Sequence, residues 1–221
     1  MKAMILAAGR GTRLKPYTDN HPKALFPVNG EPLIERLVRQ LASAGFKEII
    51  VNLAYRGEQI RDALGDGSKF GVSISYSDEG DEPLETGGGI VNALPMLGDE
   101  TFLVVNGDIY TDYPFAGLLE QKVDALHMIM VKTPDGESGD FYFTNGKLQT
   151  TKTADHLRVA GIVLYPADFF QGCRKEKFSV LSLWREAIAR NEVTAEFYHG
   201  TWFAVDTPER VQRAIKSFDC N

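Results

Sequence analysis

Gly9-Arg-Gly-Thr-Arg-Leu-Lys-Pro16 follows directly on the apolar run Lys2-Ala-Met-Ile-Leu-Ala-Ala8, and Pro22-Lys-Ala-Leu-Phe-Pro27 comes a few residues later. An apolar run bounded by glycine reads as a buried strand. Glycines just beyond it allow a turn tight enough to aim several N–H groups at one anion. Arg10, Arg13, Lys15 and Lys23 stand here against Asp19 alone, a local charge of +3 in a chain of net charge −6. A solvated basic loop would explain the charge but not the glycine spacing; a polyphosphate explains both. Leu14 occupies the place of the third glycine of a dinucleotide fingerprint, and Pro16 and Pro22 disfavour helical residues before them, which argues against a Rossmann dehydrogenase. The Walker pattern G-x4-G-K-[ST] is missing as well. Lys23, pinned between two prolines, is suited to hold its ammonium over a phosphate as a point charge.

Three further groups belong with this loop. Asn106-Gly-Asp108 ends the apolar run Phe102-Leu-Val-Val105, and Asp206 ends Trp202-Phe-Ala-Val205. Ligands of α/β sheets bind outside the carboxyl ends of strands, so Asp108 and Asp206 are candidates for magnesium and Asn106 for a hydrogen bond to a hydroxyl or amide. A plain Asn-Gly-Asp turn is the competing reading. In Glu85-Thr-Gly-Gly-Gly-Ile90, three glycines ahead of a helical pattern cost stability unless something approaches the backbone closely. A planar nucleobase edge would fit there. The acids Asp78, Glu79, Asp81 and Glu82 just before it read as a solvated loop. No serine, cysteine or histidine stands in a convincing nucleophile arrangement.

The elements that must position these residues alternate through the first half. Strands are expected at about 2–7, 48–53, 72–77 and 101–105, and helices at about 31–44, 56–64 and 87–95, the rhythm of a parallel sheet. Ile34, Leu37, Val38 and Leu41 give the first helix an inward stripe. Beyond residue 124 short alternating strands follow at 125–131, 140–144, 147–151 and 158–164, with turns at Pro134-Asp-Gly136 and Asn145-Gly146, as an antiparallel extension. A helix near 179–190 and a strand near 194–199 return to the core. Thr207 then caps a last helix whose stripe is Val211, Ala214, Ile215 and Phe218.

With 221 residues and 43% hydrophobic content, the chain is expected to form one domain over 1–221, whose element pattern changes at about residue 124. A pI near 5.3 argues against nucleic-acid or anionic-membrane partners, so the basic cluster serves a small ligand. The first apolar stretch is too short for a signal peptide, and no later run reaches membrane-spanning length. Cys173 and Cys220 form no framework and read as reduced thiols of a cytoplasmic protein. The oligomeric state is not legible.

Leu-Ala-Ala-Gly-x-Gly-Thr-Arg-Leu at 6–14, Pro-Lys-x-Leu-x-Pro at 22–27, Asn-Gly-Asp at 106–108 and Val-Asp-Thr at 205–207 together resemble the sugar-1-phosphate nucleotidyltransferases. Within that family, Pro83-Leu-Glu-Thr-Gly-Gly-Gly89 and Ser138-Gly-Asp-Phe141 look most like the uridylyltransferases that act on N-acetylmuramate α-1-phosphate in peptidoglycan recycling. The resemblance implies a Rossmann-like three-layer α/β/α sandwich with a mixed, mostly parallel sheet. It implies a reaction of UTP with a sugar 1-phosphate, giving a UDP-sugar and pyrophosphate. Gly9, Gly11, Thr12, Arg13 and Lys23 would hold the triphosphate, and Glu85, Gly87 and Gly88 the uracil. Asn106 and Asp140 would contact the sugar, and Asp108 and Asp206 would bind Mg2+. Arg13, Lys23, Asp108 and Asp206 would thus carry the catalysis. A lactyl carboxylate would call for a cation, with Lys147, Lys152, His156 and Arg158 as candidates. The alternatives are a mannose-1-phosphate guanylyltransferase, a glucose-1-phosphate uridylyl- or thymidylyltransferase, or a non-catalytic nucleotide-sugar sensor.

Overall fold

The computed structural model describes residues 1–134, 137–144, 147–150 and 155–212. In chain order the elements are β1 (Ala3–Leu6), β2 (Pro27–Val28), β3 (Glu31–Pro32), α1 (Leu33–Ser43), β4 (Glu48–Leu53), α2 (Gly57–Leu64), β5 (Ser73–Asp78), α3 (Glu85–Leu97), β6 (Phe102–Asn106) and β7 (Ile109–Thr111). They continue with β8 (Leu126–Lys132), β9 (Phe141–Thr144), β10 (Lys147–Gln149), β11 (Asp155–Tyr165), α4 (Leu181–Ala189), β12 (Val193–Phe197) and β13 (Trp202–Ala204). One mixed sheet has the order β10-β9-β11-β6-β1-β4-β5, with β8 beside β11 and β12 beside β8. β1 pairs in parallel with β4 and β6, and β4 with β5, while β11 runs antiparallel to β6, β8 and β9.

The chain leaves β1 through α1 to β4 and through α2 to β5, then returns through α3 to β6 on the other side of β1. Strand order reverses there, so a crevice opens outside the carboxyl ends of β1 and β6. The glycine loop follows β1, and Asn106-Gly-Asp108 closes β6.

Alternation along β1 divides the core into two faces. Ala3 and Ile5 pack with Ile34, Leu37, Val38 and Leu41 of α1 and with Ile60 and Leu64 of α2. Met4 packs on the opposite face with Ile90, Ala93 and Leu97 of α3 and Ala187 and Ile188 of α4. These are the three layers of the expected α/β/α sandwich.

Three local features depart from the sequence reading, and a fourth agrees with it as far as it is described. Helix α3 starts at Glu85, so the three glycines lie inside its first turns rather than ahead of it. β11 begins at Asp155 and carries a register shift between Val159 and Val163. β7 and β13, short strands far apart in sequence, form an antiparallel ribbon of their own. The last helix begins at Pro208, with the Thr207 hydroxyl accepting from the Arg210 N–H (3.4 Å), but Ala214, Ile215, Phe218 and Cys220 lie outside the described residues. So do positions 135–136 and 145–146 of the two expected turns, and Lys152. Among the described residues, no helix is long and apolar enough to cross a membrane.

A third, smaller core joins distant segments beneath the crevice. Leu14 of the glycine loop is fully buried with Val28, Leu33, Tyr110, Val205 and Val211. The residue that breaks the dinucleotide fingerprint is therefore the loop's anchor. Leu14→Ala should cost about 2–5 kcal/mol of unfolding free energy, the range for truncating a buried leucine. Urea titration followed by circular dichroism will show it, and a loss below about 0.5 kcal/mol would mean that the loop does not depend on this anchor.

Candidate active site

The glycine loop turns at Gly11, whose φ of 62° lies in the left-handed region. A Cβ there would meet Thr18 Cγ2 at 2.9 Å and Lys23 Cβ at 3.0 Å, so only glycine lets the two motifs approach. The Gly11 carbonyl accepts from Leu14 N (2.9 Å) and Thr18 Oγ1 (2.8 Å), fixing the single turn Thr12–Leu14. Lys23 thereby comes across the crevice to the Asp108 carboxylate, with which it forms an ion pair.

The β7–β13 ribbon does the same for the second aspartate. Ala204 stands opposite Ile109, and the next N–H, that of Val205, donates to the Asp108 carbonyl at 2.8 Å. Asp108 and Asp206 consequently border one cleft of about 310 Å³, together with Gly9, Gly11, Thr12, Arg13, Lys23, Glu85 and Asn106. Asp206 is nearly buried and lies 3.0 Å from the Arg13 guanidinium; Arg13 itself remains 71% exposed and can swing to another anion. Arg210 also donates to Asp206. Two hard carboxylate oxygens are suited to a divalent ion such as Mg2+ or Ca2+. Among the described residues there is no cluster of three or more His, Cys, Asp or Glu that could hold a metal, so an ion held by the two aspartates would complete its shell with water or phosphate oxygens.

Gly87 and Gly88 are a correction to the sequence reading. They do not border the cleft. Their N–H groups donate to the Phe178 carbonyl (3.0 and 3.2 Å), and a Cβ would strike the Phe178 ring at Gly87 and the Glu176 carbonyl at Gly88. The close approach that glycine permits is made by residues 176–178 of the protein rather than by a base. Glu85, Thr86 and Pro83 reach the cleft instead, Glu85 with a left-handed φ of 61° that is uncommon outside glycine.

A second cavity of about 250 Å³ adjoins the first, sharing Leu6, Thr86 and Asn106 with it. Gly161, at φ 74°, leaves room in β11 for the Asn106 side chain, whose Nδ2 a Cβ would meet at 2.7 Å. Asp140 borders this cavity and accepts from Val159 N at 2.9 Å, while Ile90, Val104, Val159, Val163 and Trp184 make the walls apolar. The candidate cations lie elsewhere: Lys147 donates to Asn191 (2.9 Å), His156 Nδ1 accepts from Gly139 N (3.2 Å), and Arg158 pairs with Glu137 (3.2 Å).

The nucleotidyl transferase family model matches residues 2–141 of this chain. The chain belongs to that family. A Neisseria meningitidis serogroup B protein named N-acetylmuramate alpha-1-phosphate uridylyltransferase is 40% identical to this transferase, covering 97% of this chain and 96% of its own. The Caulobacter vibrioides protein of the same name is 30% identical, over 94% and 92% of the two chains. In fold, the transferase is similar to a Bacillus anthracis crystal structure assigned as a glucose-1-phosphate thymidylyltransferase and bound to sucrose, with a TM-score of 0.87, 23% identity and coverage of 98% and 94%.

Two residues of the transferase's cleft escaped the sequence reading. Asn52 is buried at the end of β4, accepts from Ala7 N (2.6 Å) and donates to Glu79 (2.6 Å), whose other oxygen accepts from Leu84 N (2.6 Å). Glu79 is thus half-buried mortar between β4 and the start of α3, not a solvated acid, and burial pushes its carboxyl pKa up. The available signal was a lone asparagine in the apolar run Ile49-Ile-Val-Asn-Leu53.

Burial likewise raises the Asp140 carboxyl. Its folded-state pKa therefore lies above the ordinary value near 4, so ionisation costs stability as pH climbs from about 4 through the raised folded value, and the cost persists above it. Asparagine keeps the acceptor for Val159 N–H without the charge. Asp140→Asn should raise Tm at pH 7 and lose that advantage below about pH 4. Differential scanning calorimetry at both pH values checks this; equal Tm at pH 7 would show that the carboxylate carries no burial cost.

Proposed function

We propose that the protein joins UTP and N-acetylmuramate α-1-phosphate into UDP-N-acetylmuramate and pyrophosphate, with Mg2+, as a cytoplasmic step of peptidoglycan recycling. The observation that carries the reaction type is the convergence of the glycine loop, Lys23 and both aspartates on one cleft, beside a second cavity that opens at Asn106. The choice of base and sugar rests on the two relatives of matching length. The apolar walls of the second cavity support an acylated sugar, because acetamido and lactyl methyl groups suit Val163 and Trp184 better than bare hydroxyls do.

The nucleophile is a phosphate oxygen of the sugar 1-phosphate. It bonds to the α-phosphorus of UTP while the bond from that phosphorus to the bridging oxygen breaks, and the electron pair leaves with pyrophosphate. An anionic oxygen needs no base to activate it, so position and charge neutralisation supply the rate. Backbone N–H groups from Gly9 to Thr12 cradle the triphosphate, and Glu85 and Thr86 border the base. Arg13 and Lys23 neutralise the leaving pyrophosphate, while Asn106 and Asp140 orient the sugar. Mg2+, when held by Asp108 and Asp206, supplies further neutralisation of the phosphates. Because Lys23 and Arg13 each hold a carboxylate already, substrate binding exchanges one set of ion pairs for another of similar number. Residues up to about 124 serve the nucleotide and those beyond serve the sugar, with Asp206 returning to the nucleotide side.

A matrix of nucleoside triphosphates against sugar 1-phosphates, scored by pyrophosphate release, should be strongest for UTP with N-acetylmuramate 1-phosphate. Strong release with glucose 1-phosphate and none with the muramate derivative would overturn the sugar assignment. No release with any pair would favour a sensor. Asp108→Asn should fold normally by circular dichroism yet lose about 10²-fold or more in turnover, the size of losing one transition-state charge contact. Near-normal turnover would remove Asp108 from the metal site.

A further inference from the structure

Asp206 belongs to a chain of charges that leaves the nucleotide cleft and crosses into the sugar half. Arg13 lies on one Asp206 oxygen and Arg210 on the other. The Arg210 guanidinium also pairs with Glu137, which lies 73 positions away in sequence, and Glu137 is in turn 3.2 Å from Arg158. Three guanidiniums thus alternate with two carboxylates. Arg210, Glu137 and Arg158 are each only 16–18% exposed, so water weakens these pairs less than it weakens surface pairs.

Glu137 lies in the connection from β8 to β9 that carries Asp140 to the second cavity. Arg158 holds that loop again at the Ser138 carbonyl (2.9 Å), and Asp140 N donates to the Leu157 carbonyl (2.8 Å). At the other end, Arg210 sits in the first turn of the helix that begins at Pro208, one residue before Val211, which is buried against Leu14 of the glycine loop. One planar guanidinium therefore touches a carboxylate of the triphosphate cleft and a carboxylate of the sugar loop at once. A lysine ammonium, a compact point charge, would not span the two in the same way.

We propose that Arg210 is a positioning residue that fixes Asp206 and the Glu137–Asp140 loop in one geometry, so that the sugar 1-phosphate is presented in register with the nucleotide. This rests on the reading above, in which Asp206 holds the divalent ion and Asp140 meets the sugar. It assigns Arg210 no contact with substrate.

The test uses the full chain and the variants Arg210→Met, Arg210→Lys, Glu137→Gln and the double variant Arg210→Met/Glu137→Gln. Steady-state kinetics should show KM for the sugar 1-phosphate rising on the order of tenfold in each single variant, with KM for UTP within about twofold of wild type, as expected when one substrate is mispositioned. The double variant should be no worse than Arg210→Met alone, because both changes cut the same link. Binding of Mn2+ in the presence of UTP without sugar, followed by electron paramagnetic resonance, gives a readout independent of turnover. Arg210→Met removes a cation beside Asp206 and should tighten Mn2+ by about fivefold, whereas Arg210→Lys and Glu137→Gln should leave it near wild type.

Equal rises in both KM values, effects that multiply in the double variant, or Mn2+ binding indifferent to Arg210→Met would each overturn the inference. If Arg210→Met fails to fold, Arg210→Lys and Glu137→Gln decide it through the split between the two KM values. A wild-type protein that binds no Mn2+ with UTP would instead overturn the metal-site reading, and the role of Arg210 with it.

Discussion

Lys23 and Asp108 meet across the crevice between β1 and β6, and much of the surrounding structure exists to let them meet. Both are tethered to loops that would be free to wander: Lys23 to the segment after the glycine turn, Asp108 to the end of β6. Gly11 removes the side chain that would hold the first loop away, and the β7–β13 ribbon fixes the second by tying Val205 to the Asp108 carbonyl. The electrostatic demand behind this is severe, because a site for two phosphate-bearing substrates must bring anions together and still contain carboxylates. Pairing each carboxylate with a cation keeps the cleft from being anionic before the phosphates arrive.

The same requirement explains why Asp206 is nearly buried and Asp108 less so. Asp206 has two guanidiniums, and a carboxylate with two charged donors tolerates loss of water far better than one without. Asp108 has Lys23 and remains 28% exposed, leaving an open side. A partly open carboxylate beside a single ammonium suits exchange of partners. The Arg210 clamp suits Asp206 to be a fixed reference point and extends that reference toward the Glu137–Asp140 loop.

What could be read from the sequence was local. The stripe Ile34, Leu37, Val38 and Leu41 specified the inward face of α1, and the apolar runs ending in Gly9 and Asn106 located the crevice, because period and composition are properties of short windows. Leu14 was legible only as a missing glycine; that it plugs a core with Tyr110, Val205 and Val211 depends on contacts across the whole chain. Three successive glycines mark a place of close approach, but their partner is a matter of tertiary structure, since nothing near residue 87 announces that Phe178 and Glu176 return to lie on α3. Glu79 was lost for a related reason: an acid in an acidic loop looks solvated until Asn52 and the Leu84 N–H are known to converge on it.

These hidden contacts share a direction. Glu79 braces the start of α3, residues 176–178 lie over its first turns, and Glu85 emerges between them with a left-handed backbone. A non-glycine residue pays conformational energy in that region and persists only where its neighbours over-determine it. Here the neighbours on both sides are fixed: Leu84 by the Glu79 carboxylate and by Phe178 N, Gly87 by the Phe178 carbonyl. The strain at Glu85 is therefore set by the packing of the glycines next to it. A bulkier residue at Gly87 or Gly88 would displace residues 176–178, release Leu84, and with it the backbone that faces the cleft. On this view the triple glycine acts on the nucleotide at one remove, by holding Glu85 and Thr86 where a base would be met.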